Sequence, residues 1–311
     1  MIAAKPDSNK RLDIFLSEKL GITRSQVQKL IGQGCVFVNG KKPSKTGIKL
    51  STGDEVTVSE SQPITYSPRH GGASLEPVTC PQILSDTPDY LVINKPSGMV
   101  VHATSRETSG TVVDWLLEKY PSVAGVGDDP LRPGIVHRLD KDASGVMVIA
   151  KTQDSFDSLK RQFKLRRVTK EYLILVYGNV TPAEGTISIP ISRASSHSTR
   201  FVGNMKGGRD AVTNYIVDRQ FGEFSLVRVM PETGRTHQIR VHFTSRGYPL
   251  VGDRVYTSKK ITPKSRRSLT DGGRLMLHAS ALEFRDLSGA LQRYECPPGN
   301  DFVSVVSSLQ K

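Results

Sequence analysis

The densest group of polar side chains in this sequence occupies residues 134–145 and contains two carboxylates, Asp140 and Asp142. It stands directly before the apolar run 146–150, which is typical of a buried strand. Small residues at the end of the group permit a sharp turn into that strand, and a carboxylate held at such a turn can face a cleft. The same residues also fit an Asx-type turn, in which either aspartate bonds its own backbone.

A second polar group, residues 232–242, follows another strand-like apolar run. Thr233 is expected to cap a short helix that ends near Gly247. His237 and Arg240 are three residues apart and would share one face of that helix. A helix N-terminus flanked by guanidinium groups suits an anion, either a phosphate or a catalytic carboxylate. A solvated basic helix is the alternative interpretation.

Metal and nucleotide chemistry lack their usual signatures in this sequence. His237 and His242 are five residues apart, a spacing that does not stack two side chains on one helical face. The motifs G-x-x-x-x-G-K-[ST], G-x-G-x-x-G, H-E-x-x-H and G-x-S-x-G are absent from the sequence. We therefore expect no metal and no nucleotide cofactor.

The charge of the chain favours a polyanionic partner. The 311 residues contain 43 Lys and Arg against 30 Asp and Glu, a formal net charge of +13. Basic residues are concentrated in two runs, 160–170 and 259–267, and each phosphate that they neutralise would add salt-sensitive affinity. Nucleic acid is therefore favoured over an anionic membrane, with merely charged surface segments as the alternative.

The cysteines and the N-terminus indicate a cytoplasmic protein. Cys35, Cys80 and Cys296 lie far apart and are expected to be reduced thiols. Charged residues precede the first apolar run, which is unlike a secretory signal. The apolar runs are too short to cross a bilayer, so we expect no membrane partner.

The elements that must position these groups fall into two predicted domains. Residues 9–60 read as a small α/β module with two helices, a strand at 36–38, a tight turn at Asn39-Gly40 and a strand at 55–58. Thr23 and Gln26 have the pattern of a capping box for the second helix. Basic side chains of the module could form one binding face or a solvated surface.

Residues 61–82 are rich in Pro and Gly and are the predicted linker. The larger domain is predicted at 83–305. Its clearest helical pattern is 152–165, and its strand-like runs are 90–94, 146–150, 172–177, 224–230 and 274–279. Strands outnumber helices without regular alternation, which favours an α+β fold with a largely antiparallel sheet over a doubly wound fold.

Several separate motifs resemble, in order, those of the Rlu-type pseudouridine synthases, and within them the branch related to RluD that acts on large-subunit ribosomal RNA. The catalytic motif corresponds to 132–145, with the run His137-Arg138-Leu139-Asp140 at its centre. The other matching segments are 94–102, Lys170-Glu171-Tyr172, 233–242, Gly252-Asp253 with Tyr256, and Leu277-His278-Ala279. The resemblance covers about residues 10–302, and its N-terminal part resembles the S-four RNA-binding domain.

The resemblance implies a mixed, mainly antiparallel sheet with a central cleft, and it implies roles for matching positions. Asp140 is the implied catalytic carboxylate, Tyr172 is implied to stack on the target uracil, and Arg240 is implied to hold Asp140 ionised and oriented. Arg138 is implied to enter the RNA stack as the uridine leaves it. The other expected RNA contacts are His137, Lys170, Arg235 and His237 in the larger domain and Arg24 and Lys29 in the N-terminal module.

The sequence thus predicts an isomerase, an RNA pseudouridine synthase that acts on 23S ribosomal RNA without a cofactor. The alternatives are a pseudouridine synthase for transfer RNA and a non-catalytic RNA-binding factor of ribosome assembly. A glycoside hydrolase that pairs Asp140 with Asp142 is a third possibility. It is disfavoured because a turn leaves the separation of the two carboxylates undefined and because the basic runs stay unexplained.

Overall fold

The computed structural model describes residues 7–21, 24–32, 35–43, 45–58, 80–104, 107–195, 200–204, 207–256 and 273–309. The chain divides into two compact units, Met1–Pro68 and Arg69–Lys311. Most of the predicted linker, the capping residue Thr23 and the basic run 259–267 lie outside the described residues. The linker boundaries at 61 and 82 therefore stay predictions.

The N-terminal unit contains two helices and a two-stranded sheet. Its elements are α1 (Leu12–Leu20), α2 (Arg24–Gly32), β1 (Val36–Val38) and β2 (Val56–Val58). The apolar face predicted from the helical spacing packs inward, with Leu12, Phe15 and Leu16 fully buried. Asn39 and Gly40 both have positive φ and form a two-residue turn, closed by an antiparallel bridge between Val38 and Lys41.

Arg24, an expected RNA contact, has a structural partner in this unit. The carboxylate of Asp13 is fully buried and accepts hydrogen bonds from Arg11, Arg24 and Gln28. The hydrogen bond from Arg11 leads the effects that lower the pKa of Asp13, so this carboxylate stays ionised inside the unit. The Arg24 side chain is 53% exposed, so it could still meet RNA. The side chain of Lys29 lies outside the described part of the chain.

The larger unit is built from strands and a few short helices. The strands are β3 (Gln82–Asp86), β4 (Tyr90–Lys95), β5 (Ser144–Ala150), β6 (Thr169–Tyr177), β7 (Glu184–Ser188), β8 (Ile191–Arg193), β9 (Phe201–Gly203), β10 (Val212–Phe221), β11 (Phe224–Pro231), β12 (Leu277–Arg285) and β13 (Leu291–Glu295). The helices are α3 (Val112–Lys119), α4 (Gln153–Lys164), α5 (Gln238–Ser245) and α6 (Asn300–Ser308).

Most of these strands belong to one mixed sheet with the order β3-β4-β5-β12-β6-β11-β10-β7, and β13 pairs with the far part of β12. Strands β5 and β12 pair in parallel over a short register, and the other neighbours in this sheet pair antiparallel. Strands β8 and β9 form a separate hairpin. The predicted α+β class with a mixed, mainly antiparallel sheet is confirmed.

Two of the apolar clusters on the sheet position the site. The first packs α3 and α4 against β4 and β5, and every residue of β5 is buried. The second packs Ile239 and Phe243 of α5 against β6, β10 and β11. Strand β12 contributes residues to both clusters, and it lies between β5 and β6 in the sheet.

The last predicted strand has the wrong bounds. The structure begins β12 at Leu277 and continues it to Arg285, whereas the sequence indicated 274–279. Residues 282–285 alternate between apolar and charged side chains, and Leu282 and Phe284 join the first apolar cluster. That two-residue period was the signal for the longer strand. None of the helices in the described ranges is long and apolar enough to span a membrane.

Candidate active site

Asp140 lies in the irregular segment that leads into β5. Its main-chain carbonyl accepts a hydrogen bond from the N–H of Ala143 at 3.2 Å, which closes the turn. Its carboxylate instead accepts a hydrogen bond from Nη1 of Arg240 at 3.1 Å, and 16% of its side chain is exposed. The turn is thus closed by backbone, and the side chain of Asp140 stays available to the cleft.

Arg240 is fixed on the opposite side by a second carboxylate. Nε and Nη2 of Arg240 donate to the two oxygens of Asp253 at 2.7 and 2.9 Å, and the Asp253 side chain is fully buried. One of these oxygens also accepts the N–H groups of Val255 and Tyr256. Burial alone would lower the pKa of Arg240, but Asp253 and then Asp140 raise it, so the guanidinium stays charged. Asp253 therefore sets the direction in which Arg240 meets Asp140.

The approach to α5 differs from the expectation. Thr233 does not cap the helix, because α5 begins at Gln238 and His237 precedes it with a left-handed φ of 56°. The amide of Gln238 accepts hydrogen bonds from the hydroxyl of Thr233 and the N–H of Arg235. It donates to the carbonyl of Val212 and the hydroxyl of Thr213. These bonds hold the residues before His237 as a loop. The helix starts only at the carbonyl of His237, which accepts the N–H of Val241 at 2.9 Å.

His237 is held in place by Tyr256, which follows Asp253 by three residues. Its Nδ1 lies 2.8 Å from the hydroxyl of Tyr256, which also accepts the N–H of Phe201 at 2.9 Å. The Tyr256 ring lies 5.0 Å from the guanidinium of Arg240. Burial lowers the pKa of His237, so a neutral imidazole borders the site at neutral pH.

Asp140, His237 and Arg240 line one cleft with about 640 Å³ of empty space. Of the residues predicted for the site, the cleft brings together Arg138, Asp140, Lys170, Tyr172, Arg235, His237 and Arg240. Asp140 is the only carboxylate on its wall within the described residues. Asp142 is exposed outside the cleft, so the paired-carboxylate interpretation lacks its second group. Burial and then the charge of Asp140 raise the pKa of Tyr172, so its ring is neutral.

A basic groove adjoins the cleft and shares part of its wall. Its cations are Arg138, Lys164, Arg166, Lys170, Arg209 and Arg235, with Glu232 as the acid among its lining residues in the described part of the chain. His137 borders this groove rather than the cleft. Its ring stacks on Phe163 at 4.5 Å, and its Nε2 accepts the N–H of Val148. Burial lowers the pKa of His137 to about 3, so it adds no positive charge at neutral pH.

Comparison with known proteins identifies this arrangement. The family model described as RNA pseudouridylate synthase matches residues 89–245, and the S4 domain model matches residues 10–56. This chain belongs to the RNA pseudouridylate synthase family.

Relatives of full length agree with that assignment. The chain is 35% identical to an uncharacterised RNA pseudouridine synthase of Bacillus subtilis, over 99% of this chain and 97% of the relative. It is 36% identical to ribosomal large subunit pseudouridine synthase D of Blochmanniella floridana, over 100% and 98%. The solved structure of human RNA pseudouridylate synthase domain containing 1 superposes with a TM-score of 0.59 at 25% identity, covering 76% of this chain and 98% of that one.

The pseudouridine synthase converts uridine in RNA to its C-glycoside isomer. The bond between the base and C1′ must break, the base must turn, and a carbon of the base must bond to the same sugar. A uridine must first leave its stack, at a cost of roughly a few kcal/mol. Asp140 and Tyr172 bring a carboxylate and an aromatic face to the same cleft.

Sequence reasoning gave no role to Lys95, which anchors the turn that carries Asp140. This lysine is fully buried, and its ammonium donates to the carbonyls of Pro96, Met99 and Lys141 at 2.8, 2.8 and 3.0 Å. Burial lowers its pKa to about 7, against the opposing charges of Asp140 and Asp142. Lysine is normally assigned to the surface from sequence, so only its place inside a matched motif could have marked it.

The strand after Asp140 is fixed just as closely. Gly145 has a φ of 118°, and a Cβ there would lie 2.2 Å from the carbonyl oxygen of Ala279 on β12. Ser144 lies 2.7 Å from Nδ1 of His278, and Nε2 of His278 lies 2.8 Å from the carbonyl of Cys296. A carbonyl only accepts, so Nε2 carries the proton and Nδ1 accepts from Ser144. Gly145 is thus needed both for its positive φ and for the close contact with β12.

Replacement of Lys95 by methionine should destabilise the larger unit and loosen the turn that carries Asp140. Three carbonyls lose the ammonium as a partner, and that of Lys141 keeps a second one, the N–H of Gly98. At roughly 1–3 kcal/mol for each unsatisfied buried acceptor, we expect the free energy of unfolding to fall by about 2 kcal/mol or more. Urea unfolding followed by the fluorescence of Trp115, the single tryptophan of the chain, measures this. The control is Lys160→Met, which removes one exposed ion pair with Asp128. Equal urea midpoints for the two variants would show that the buried ammonium of Lys95 does not stabilise this turn.

Proposed function

We propose that Asp140 is the catalytic carboxylate of this pseudouridine synthase, that Tyr172 stacks on the uracil, and that Arg240 orients Asp140. The observation that carries this proposal is the ion pair of Asp140 and Arg240 inside a cleft that Tyr172 also lines. A carboxylate with one bound oxygen keeps the other free for C1′ of the target nucleotide. An aromatic face recovers about 1–3 kcal/mol of the stacking that the flipped base has lost.

The basic groove supports a path for RNA beside the cleft. Arg138 is exposed at the border between the cleft and the groove, which suits insertion into the RNA stack where the uridine has left. The exposed cations of the groove, Arg138, Lys164, Arg166 and Arg209, would neutralise the phosphates on either side of that nucleotide. His137 would contribute a neutral ring stacked on Phe163 and no charge. Arg235 and His237 border the cleft, where the phosphate of the target nucleotide would enter.

We further propose large-subunit ribosomal RNA as the substrate, and with it a cytoplasmic location. The relative from Blochmanniella floridana is named as a large-subunit enzyme and aligns with this chain from end to end. Mapping pseudouridine in total RNA from cells with and without the gene tests the substrate. Loss of a modified site in the large-subunit RNA supports the proposal, and loss confined to transfer RNA contradicts it. An unchanged map would favour a non-catalytic role in ribosome assembly.

Removal of the N-terminal module should weaken RNA binding more than it weakens the chemistry. The matched S4 domain spans residues 10–56, and a variant that begins at residue 61 lacks it. We expect a higher Kd for structured RNA and a shallower dependence of log Kd on log salt, because phosphate contacts are lost. Filter binding across a salt series measures both. The same Kd and the same slope with and without the module would exclude this division of labour.

A further inference from the structure

Lys170 occupies a position that RNA binding alone does not explain. It lies two residues before Tyr172 on β6, and successive side chains of a strand point to opposite faces, so the two residues share one face. Both line the cleft that contains Asp140. A uracil stacked on Tyr172 would therefore have one edge directed toward the ammonium of Lys170.

The other cations of the cleft are already engaged or exposed. Arg240 uses Nε, Nη1 and Nη2 on Asp253 and Asp140. Arg235 donates Nε to the carbonyl of Asp210. Arg138 is exposed, so water screens its charge. Lys170 is half-buried, and no residue in the described ranges accepts a hydrogen bond from its ammonium or forms an ion pair with it.

The reaction creates a negative charge where such a cation is useful. When the bond between C1′ and N1 breaks, its electron pair stays on the uracil, where the charge spreads over N1, O2 and O4. The positive charge left at C1′ faces the carboxylate of Asp140. After the base turns, an electron pair at C5 forms the new bond to C1′. C5 then loses its proton and N1 gains one, so no other reactant is consumed.

We propose that Lys170 is a further catalytic residue, whose ammonium stabilises the negative charge on the uracil while the base is detached from the sugar. The proposal rests on the roles proposed above for Asp140 and Tyr172. A fixed positive charge in a half-buried cleft stabilises a developing anion far better than the same charge in water. A contact with a phosphate would instead act equally before and during the reaction.

The surroundings of Lys170 set the pH range in which it can act. Burial and then the charge of Arg166 lower its pKa to about 8. The titratable and charged groups that line the cleft and the groove around Lys170 are Arg138, Asp140, Lys164, Arg166, Tyr172, Arg209, Glu232, Arg235, His137, His237 and Arg240. The ammonium is present below pH 8 and lost above it, so kcat/KM should fall as the pH rises through about 8.

Three variants test the charge. Lys170→Met removes it, Lys170→Arg keeps it at every pH, and Lys119→Met removes an exposed lysine of α3 as a matched control. Single-turnover release of tritium from [5-³H]uridine RNA, at saturating enzyme, measures the chemical step. We expect the methionine variant to be about 10²-fold slower than the control with the same RNA affinity. The arginine variant should keep most of the rate and lose the fall near pH 8.

A substrate with a better leaving base gives an independent test. The fluorine of 5-fluorouridine withdraws electrons and stabilises the uracil anion without help from the protein. The deficit of Lys170→Met should therefore be smaller for 5-fluorouridine RNA than for uridine RNA, measured as loss of the N-glycoside in digested RNA. Asp140→Asn should be inactive on both substrates. Turnover by Asp140→Asn would refute the proposed function, whereas equal deficits of Lys170→Met on both substrates would refute only the role of Lys170.

Two other results would overturn the assignment of Lys170. A methionine variant that binds RNA more weakly but reacts at the control rate when saturated would make Lys170 a phosphate contact. An arginine variant as slow as the methionine variant would show that positive charge is not what the reaction needs.

Discussion

Asp140→Asn should bind structured RNA with the affinity of the native enzyme and make no detectable pseudouridine. The substitution keeps the shape of the side chain and can still meet Nη1 of Arg240, so the turn before β5 should survive. It removes the negative charge and the lone pairs that would meet C1′, and Asp140 is the only carboxylate lining the cleft in the described part of the chain. Loss of such a group costs at least ~10⁴-fold in turnover.

The neighbouring Asp142 gives a matched control for that result. Its side chain is exposed, and its contact with Ser97 is made by the main-chain carbonyl at 2.7 Å. Asp142→Asn therefore changes the same net charge in the same turn without touching the cleft, and we expect turnover close to native. Mass spectrometry of the digested RNA after chemical labelling of pseudouridine measures the product. Product from Asp140→Asn at the rate of Asp142→Asn would contradict the assignment of the catalytic carboxylate.

Regular elements with a clear period could be predicted from the sequence. The pattern at 152–165 corresponds to α4 (Gln153–Lys164) with Thr152 as its cap, and the apolar run after Asp140 corresponds to β5. These elements are specified by their own side chains, which repeat at the spacing of one buried face. The residues of the cleft were found through motifs, because spacing alone left the aspartates of residues 134–145 equally consistent with a simple turn.

The supports of the site could not be predicted because they join distant parts of the chain. Arg240 and Asp140 are 100 residues apart, and Lys95 reaches a carbonyl 46 residues away. Burial also reverses ordinary expectations: Lys95 is inside, and His137 is neutral and bonded to the backbone. The amide of Gln238 joins the loop before α5 to Val212 and Thr213, about 25 residues earlier in the chain, and its oxygen engages the hydroxyl of Thr233, so the expected cap at Thr233 was wrong.

The buried pair of Arg240 and Asp253 predicts the second large effect, because Asp253 holds Arg240 and Arg240 holds Asp140. Asp253→Asn leaves a buried guanidinium without its full countercharge, which should lower the free energy of unfolding by about 3 kcal/mol or more. With Arg240 less well oriented, we expect turnover to fall by roughly 10- to 100-fold, as for other groups that position a reacting residue. The exposed pair of Asp218 with Arg228 supplies the control, since Asp218→Asn should cost less than about 1 kcal/mol.

The loss of stability at acid pH distinguishes removal of the Asp253–Arg240 ion pair from a general packing defect. Burial would raise the pKa of Asp253, but the hydrogen bonds and charge of Arg240 lower it overall. A carboxylate whose pKa is lowered by folding adds stability above its unfolded value, near pH 4, and that stability is lost as the pH falls further. The native enzyme should therefore lose stability below about pH 4 by a component that Asp253→Asn lacks. Urea midpoints from Trp115 fluorescence at pH 7 and pH 3 measure this, and a parallel decline in both proteins would mean that Asp253 is not the charged anchor of Arg240.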